Sequence, residues 1–441
     1  MIQMDKQQMK QAVIAAIDAR REDILAISHQ IYKNPETGYR EFKTTELLAD
    51  TLEKEGYEVE RGITYTGCRG RSSGAKAGPK IAVMGELDSV LCVTHPDCDP
   101  ETGAMHACGH HIQTTVMAAV AMGLKPVMGE LAGSVDFIAI PAEECIELGY
   151  RDELKKAGKI TYLSGKQEYT YKGGFDDVDI AAMIHSFDLD AMGKKVAATN
   201  TGTGFINKST RFIGKEAHAG GAPWDGINAL NMADIAIAAI NTQRETFKDT
   251  DRVRIHQIIT KGGDLLNAVP ADVRMDTTIR AMNVPAMKDA CAKFDRCVHG
   301  AAIALGGHAE ISDTPGYLPN FPDATLAAAF AENARQFYAD DQISPQLEST
   351  ASFDIGDLSH FMPILHAMTS GVSGGLHSRE FQVCNEDDAI ITPAKIMACT
   401  IIDLLADDAA LAKKVVDEFQ PRMTKDEYLA YLKEMTVDKA Y

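Results

Sequence analysis

Three apolar runs in this chain pass straight from strand-like composition into acids or a histidine, and no other feature constrains the fold as tightly. IAVMGEL (81–87) leads through Glu86 to Asp88, SVDFIAI (134–140) runs into Pro141-Ala142-Glu143-Glu144, and DIAAMI (179–184) runs into His185-Ser186. Between the first two lies HHIQTTVMAAVAMGL (110–124), whose apolar spacing is helical. Buried strands separated by helices predict a parallel sheet with helices on both faces, and in such sheets ligands gather outside the carboxyl ends of the strands. Glu86, Asp88, Glu143, Glu144 and His185 all fall at those ends.

From about residue 205 the pattern changes. STRFIGKEAH (209–218), VRIHQIITKG (253–262), VRMDTTIRAM (273–282) and HAEISD (308–313) read as strands. INALNMADIAIAAINTQRETF (227–247) and PAMKDACAKFDRCVHGAAIAL (285–305) read as helices. The order β-α-β-β-α-β is that of a ferredoxin-like unit able to stand as its own domain. The expected organisation is therefore α/β, with a first domain over 1–204, an inserted domain over 205–315, and a return to the first over 316–441. A chain of 441 residues is long enough for two domains. KDEYLAYLKEM (425–435) is expected as a helix packed on the outside of the returning part.

Composition removes several function classes. The net charge of −19 speaks against a phosphate-tracking nucleic-acid binder. No run of about 18 uncharged apolar residues is present to span a membrane, and the N-terminal segment reads as an amphipathic helix rather than a leader. The nine cysteines are scattered without C-x-x-C pairs, as expected of reduced thiols, and the cytoplasm is the expected compartment.

The densest chemical cluster is MHACGHH (105–111). Cys108 and His110, two apart at a loop-to-helix junction, can point at one metal, and thiolate with imidazole suits zinc and its neighbours. Glu143 and Glu144 follow a buried strand, where ionised carboxylates need cations. One can ligate while the other accepts a proton from an activated water. With His185 and with His377, in GGLHS (374–378), metal-type ligands sit at several predicted strand ends and suggest a dinuclear site.

In order and spacing, the motifs MGELDSV, MHACGHH, IPAEE, KGGFDDVDIAAMIH, GKEAHAGGAPWDGINAL, RVRIHQIITKGG with NAVPAD, and LHSREF resemble those of the M20 metallopeptidase family. The likeness is strongest to its aminoacylase, auxin-conjugate hydrolase and p-aminobenzoyl-glutamate hydrolase branch, and covers residues 29 to 381. The resemblance implies a zinc-peptidase-like catalytic domain carrying an inserted ferredoxin-like lid, usually also the dimerisation domain, so a homodimer or higher homo-oligomer. It implies Cys108 as a thiolate bridging two divalent ions, Zn²⁺ or Mn²⁺, with His110, Glu144, His185 and His377 completing the ligands. Glu143 would be the general base and Asp88 a support behind a ligand. His218 and Asn267 of the lid would reach the substrate or its transition state, and Arg280, Arg379 or the backbone at Lys208 and Ser209 would meet a substrate carboxylate.

The pattern departs from the branch at His111, where Asp or Asn is usual, at Gln113, where His is frequent, and at Glu86, where many members carry Asp. His111 is expected as a substrate contact or a helix-start residue. The loop Cys92–Cys98 has no assigned role. GVSGG (371–375) matches a nucleophile elbow, but no acid separates Ser373 from the only later histidine, His377, so no triad follows. Gly202 and Gly204 are candidate hinges. The expected activity is hydrolysis of the amide bond of a small N-acyl or p-aminobenzoyl amino acid or a dipeptide. A dipeptidase, an aryl-amine C–N hydrolase and a subunit of a hetero-oligomer are the alternatives.

Overall fold

The structure is a computed structural model whose described residues are 4–441, and it divides into two compact units. The first comprises residues up to Thr201, Phe321–Glu348 and Leu358–Arg422; the second comprises Gly202–Asn320, Ser349–Asp357 and Met423–Tyr441.

An eight-stranded sheet forms the first unit, in the order 58–63, 67–73, 132–140, 76–86, 180–186, 364–369, 196–197, 343–344. Its centre is parallel: Lys76–Glu86 pairs with Ala132–Ile140 on one side and Ile180–Ser186 on the other, and Ile364–Thr369 continues the parallel set. The sheet is mixed rather than wholly parallel, because Glu58–Ile63 and Gly67–Ser73 form an antiparallel hairpin at one edge. That hairpin carries charged, exposed residues on its outer strand and gives no apolar run to find in the sequence.

The helix His110–Leu124 explains why the central strands are apolar throughout. It lies on the 76–86 and 180–186 strands and is itself covered by Lys6–Ala19, Arg21–Tyr32 and Thr392–Leu405. Every one of its residues is buried, so from Val116 onward its sequence is apolar all round instead of amphipathic, while its first turns bury polar residues beside the strand ends. Among the described residues no single helix is long and apolar enough to cross a membrane.

The second unit has a five-stranded antiparallel sheet, in the order 254–261, 272–281, 204–213, 308–315, 437–440. Its first four strands, with helices Ala229–Thr242 and Val284–Leu305, follow the β-α-β-β-α-β order. Residues 423–441, grouped by sequence with the first domain, pack here instead. Helix Lys425–Glu434 is tied in by Tyr428, whose hydroxyl donates to Asp357 at 2.7 Å, and Val437–Ala440 adds a strand beside His308–Pro315. That last strand is too short and polar to be read from sequence.

Phe137, fully buried on the 132–140 strand against Tyr57 at a ring separation of 5.1 Å, tests the packing of the central sheet. Phe137→Ala is expected to lower unfolding free energy by about 3–5 kcal/mol in urea denaturation. A loss below about 1 kcal/mol would contradict a close-packed core at this position.

Candidate active site

The parallel strands of the first unit deliver their carboxyl ends to one place, and the turn after Ile140 shows how the sequence builds it. Ala142 has φ +55°, a left-handed conformation that a residue with a Cβ adopts only when its surroundings hold it there. Its N–H donates to Glu41 Oε1 at 2.8 Å. The next two amides donate to a single buried carboxylate: Glu143 N–H to Asp88 Oδ1 at 3.0 Å and Glu144 N–H to Asp88 Oδ2 at 2.8 Å. From the other side the fully buried Arg151 donates to the carbonyls of Ala142, Leu163 and Glu144. Burial, and then the Asp88 charge, push the Glu41 carboxyl above its ordinary range. Arg151 and Glu41 had no signal in the sequence; both act through a turn whose geometry only the fold reveals.

Cys108 and His110 are brought to the same point by Gly109, at φ +81°, where a Cβ would meet Ser186 Oγ at 2.1 Å. Only glycine allows that approach of the helix start to the end of the 180–186 strand. Cys108 Sγ lies 3.6 Å from His185 Nε2, and His377 Nε2 lies 3.0 Å from Glu144 Oε1. His377 is itself left-handed, with φ +59°, and its N–H donates to Ala107 O at 2.8 Å. The carbonyl of Asp88 lies 2.8 Å from His110 Nδ1 and that of Ser186 lies 2.8 Å from His185 Nδ1. A carbonyl only accepts, so both rings carry hydrogen on Nδ1 and present Nε2 to the site.

These donors fit metal ions. Cys108, His110 and His185 form one group, Cys108, Glu144 and His377 a second, and Glu86, His110 and Glu143 a third, with the ligand atoms of each group within 4.8 Å of one another. Metal–sulfur and metal–nitrogen bonds of about 2.3 and 2.1 Å put the edge of a tetrahedron near 3.6 Å, the Cys108–His185 separation. Cys108 belongs to two of the groups, as a bridging thiolate would.

Electrostatics point the same way. With no cation present, burial, then Glu144 and Glu143, drive the Cys108 thiol far above its ordinary value. For His110, burial works against protonation, but Glu86 and Asp88 outweigh it and raise the ring to about 10. His185, desolvated and beside His110, falls to about 4, whereas the bond to Glu144 raises His377. So many buried anions beside a thiol are costly alone; divalent cations would favour the Cys108 thiolate and neutral His110 and His377, and His185 is already held in the neutral form that ligates.

Other expected residues fall elsewhere. His111 is buried at the helix start with its ring 5.0 Å from Tyr32 and 5.4 Å from His106, and among the described residues it joins no metal-type group. In the loop Cys92–Cys98, His95 is buried, with Nε2 at 2.8 Å from Phe381 O and Nδ1 accepting from Asp97 N–H, so this loop is a brace. His218 and Asn267 lie side by side in the second unit, where Ala219 N–H donates to Asn267 O. His218 Nδ1 accepts from the amides of Gly220 and Gly221, at 3.2 and 2.8 Å, which leaves Nε2 as an N–H donor. Arg280 is not with them. It lies at the opposite end of the 272–281 strand, donating to Ser352 Oγ at 2.5 Å and stacked over Phe205. The backbone at Lys208 and Ser209 is no anion cradle, because it is paired on both sides within the sheet, and Lys208 itself is held by Asp295 and Asp313. Arg379 is exposed beside Glu380.

Comparison with known proteins gives this geometry its context. The model of peptidase family M20/M25/M40 matches residues 82–403. The chain is 26% identical to the Xaa-Arg dipeptidase of Mus musculus, over 96% of this chain and 94% of that protein. It is 28% identical to a subunit of the p-aminobenzoyl-glutamate hydrolase of Escherichia coli (strain K12), over 84% of this chain and 75% of that one. Among solved structures it is similar in fold to a putative aminohydrolase from methicillin resistant Staphylococcus aureus (TM-score 0.74, 19% identity, 90% of this chain and 100% of that one). A dinuclear metal binding peptidase of family M20 from Bacillus subtilis gives a TM-score of 0.68 at 21% identity, covering 88% of this chain and 99% of that one. With the family model spanning most of the sequence, the chain belongs to peptidase family M20/M25/M40 and is a hydrolase acting on C–N bonds.

Proposed function

We propose that this chain hydrolyses the amide bond of a small N-acyl amino acid or dipeptide, using two divalent ions, Zn²⁺ or Mn²⁺, held by Cys108, His110, Glu144, His185 and His377. The observation that carries the reading is the sharing of Cys108 between two donor groups, with Glu143 beside them and Asp88 fixing the backbone of both glutamates. Ions bound there supply Lewis acidity toward the scissile carbonyl and lower the pKa of water at the site.

The chain's own residues divide the rest of the work. Glu143 accepts the proton of the attacking water and returns it to the leaving amine. Asp88 accepts from consecutive amides and so fixes the backbone of both glutamates, of which Glu143 acts as base while Glu144 ligates. His218, with Nδ1 committed to the backbone, offers Nε2–H to the developing oxyanion. Asn267 beside it contacts the substrate. A small dipeptide is favoured among substrates by the near full-length likeness to a relative named Xaa-Arg dipeptidase. The likeness to a relative named as one subunit of a hydrolase favours testing the chain both as a homo-oligomer and with a partner.

The test is release of free amino acid from N-acetyl, N-benzoyl and p-aminobenzoyl amino acids and dipeptides by metal-stripped chain, before and after Zn²⁺ or Mn²⁺ is restored. Glu143→Ala is expected to retain both ions and lose activity by at least about 10³-fold, and wild-type turnover in that variant would overturn the base assignment. His218→Ala should lower kcat by about 10²–10³ with the fold intact; unchanged kcat/KM would remove it from the oxyanion. Metal binding must displace protons from Cys108 and from His110, whose ring is raised to about 10. Apparent affinity should therefore rise with pH through the neutral range, by about tenfold per unit for each proton displaced. Affinity measured by chelator competition at pH 6.5 and 7.5 checks this, and a pH-independent value would contradict it.

A further inference from the structure

A buried carboxylate and a buried lysine lie against the site without a part in the reaction as described. Glu86 is the last residue of the 76–86 strand, and Lys166 is the second residue of the helix Gly165–Tyr171. Both are buried, Lys166 completely, and Lys166 Nζ donates to Glu86 Oε1 at 2.6 Å. Burying such a pair carries a desolvation penalty of several kcal/mol per ion, and a pair of apolar residues would serve packing as well. The placement is built closely. Gly165 packs so near the turn that a Cβ there would meet the Pro141 carbonyl oxygen at 1.8 Å, and this contact brings Lys166 to the strand end.

The other oxygen of Glu86 carries the inference. Glu86 Oε2 lies 3.2 Å from His110 Nε2, yet neither atom makes a hydrogen bond, and both are buried. Two atoms at that distance without hydrogen-bond geometry match neighbouring ligands of one ion. Metal–oxygen and metal–nitrogen bonds of about 2.1 Å put adjacent ligands roughly 3.0–3.4 Å apart. His377 Nε2 and Glu144 Oε1, at 3.0 Å, are spaced in the same way. A ligating carboxylate is ordinarily anchored through its second oxygen, and Lys166 anchors this one.

We propose that Glu86 is a further metal ligand, contributing Oε2 to the ion held by His110, and that Lys166 is the positioning residue that fixes its orientation through Oε1. Charge supports the arrangement. Ionised Glu86, Asp88, Glu143 and Glu144 with the Cys108 thiolate carry five negative charges. Two divalent ions would supply four positive charges, Lys166 a fifth and the buried Arg151 a sixth, so the cluster closes within one charge of neutrality with its histidines uncharged. The inference rests on the dinuclear reading of the site and adds a ligand to it.

The test is metal binding. Metal-stripped wild type, Glu86→Gln, and the double variant Glu86→Gln/Lys166→Met are titrated with Zn²⁺ and with Co²⁺, following stoichiometry, affinity and the visible absorption of bound Co²⁺. The double variant removes both charges, so a failure of the single variant to fold with an uncompensated buried lysine does not end the experiment. Wild type is expected to bind two ions. The variants should keep one at wild-type affinity, weaken the other by at least about tenfold, and change the Co²⁺ absorption, which reports coordination. Two ions bound by the double variant with wild-type affinity and an unchanged Co²⁺ spectrum would overturn the ligand role of Glu86 while leaving the dinuclear site standing. A wild-type chain that bound no metal would instead overturn the underlying reading, and this inference with it.

Discussion

The carboxylate of Asp88 is the point on which the site depends. It follows the first central strand, and its two oxygens accept the consecutive amides of Glu143 and Glu144, while its own carbonyl faces His110 Nδ1. Three segments far apart in sequence, the end of the 76–86 strand, the turn at Pro141 and the start of the 110–124 helix, are thereby held in one geometry. A buried amide without an acceptor costs about 1–3 kcal/mol, so loss of Asp88 would release both glutamates at once. The left-handed Ala142 persists for the same reason: Glu41, Asp88 and Arg151 together fix the turn around it.

This arrangement concentrates negative charge where water is excluded. A fold seeking only stability would neutralise such a cluster with arginines or dispense with it. Here Arg151 bonds backbone carbonyls, and the lysine at Glu86 answers a single carboxylate. The remaining charge is a standing demand for cations, and the imidazole nitrogens turned inward by their carbonyl partners are the complement to that demand. Chemistry and stability are opposed at this site, and the apolar remainder of the helix and strands supplies the packing that tolerates it.

Much of this was legible in the sequence because the central strands are buried on both faces and so write continuous apolar runs, each punctuated by the polar residue it presents. Glu143, Glu144 and His185 could be named from that punctuation, Cys108 and His110 from their spacing at a loop-to-helix junction, and the ferredoxin-like order from alternating strand and helix periods. What stayed hidden has a common cause. Lys166, Arg151 and Lys208 are charged residues that sequence places on the surface by default, and tertiary contacts alone bury them. The 58–73 hairpin and the 437–440 strand are short or polar, stabilised by pairing rather than by an apolar face. Arg280 looked available for a substrate because sequence does not record that Ser352 and Phe205 already engage it.

The central claim is that one thiolate joins two metal sites at the strand ends. Anomalous diffraction from crystals of the Zn²⁺-loaded chain, recorded on both sides of the zinc edge, tests it directly. The account predicts two anomalous peaks, one on either side of Cys108 Sγ and each within about 2.3 Å of it. A single peak, or a pair lying away from Cys108, would contradict it.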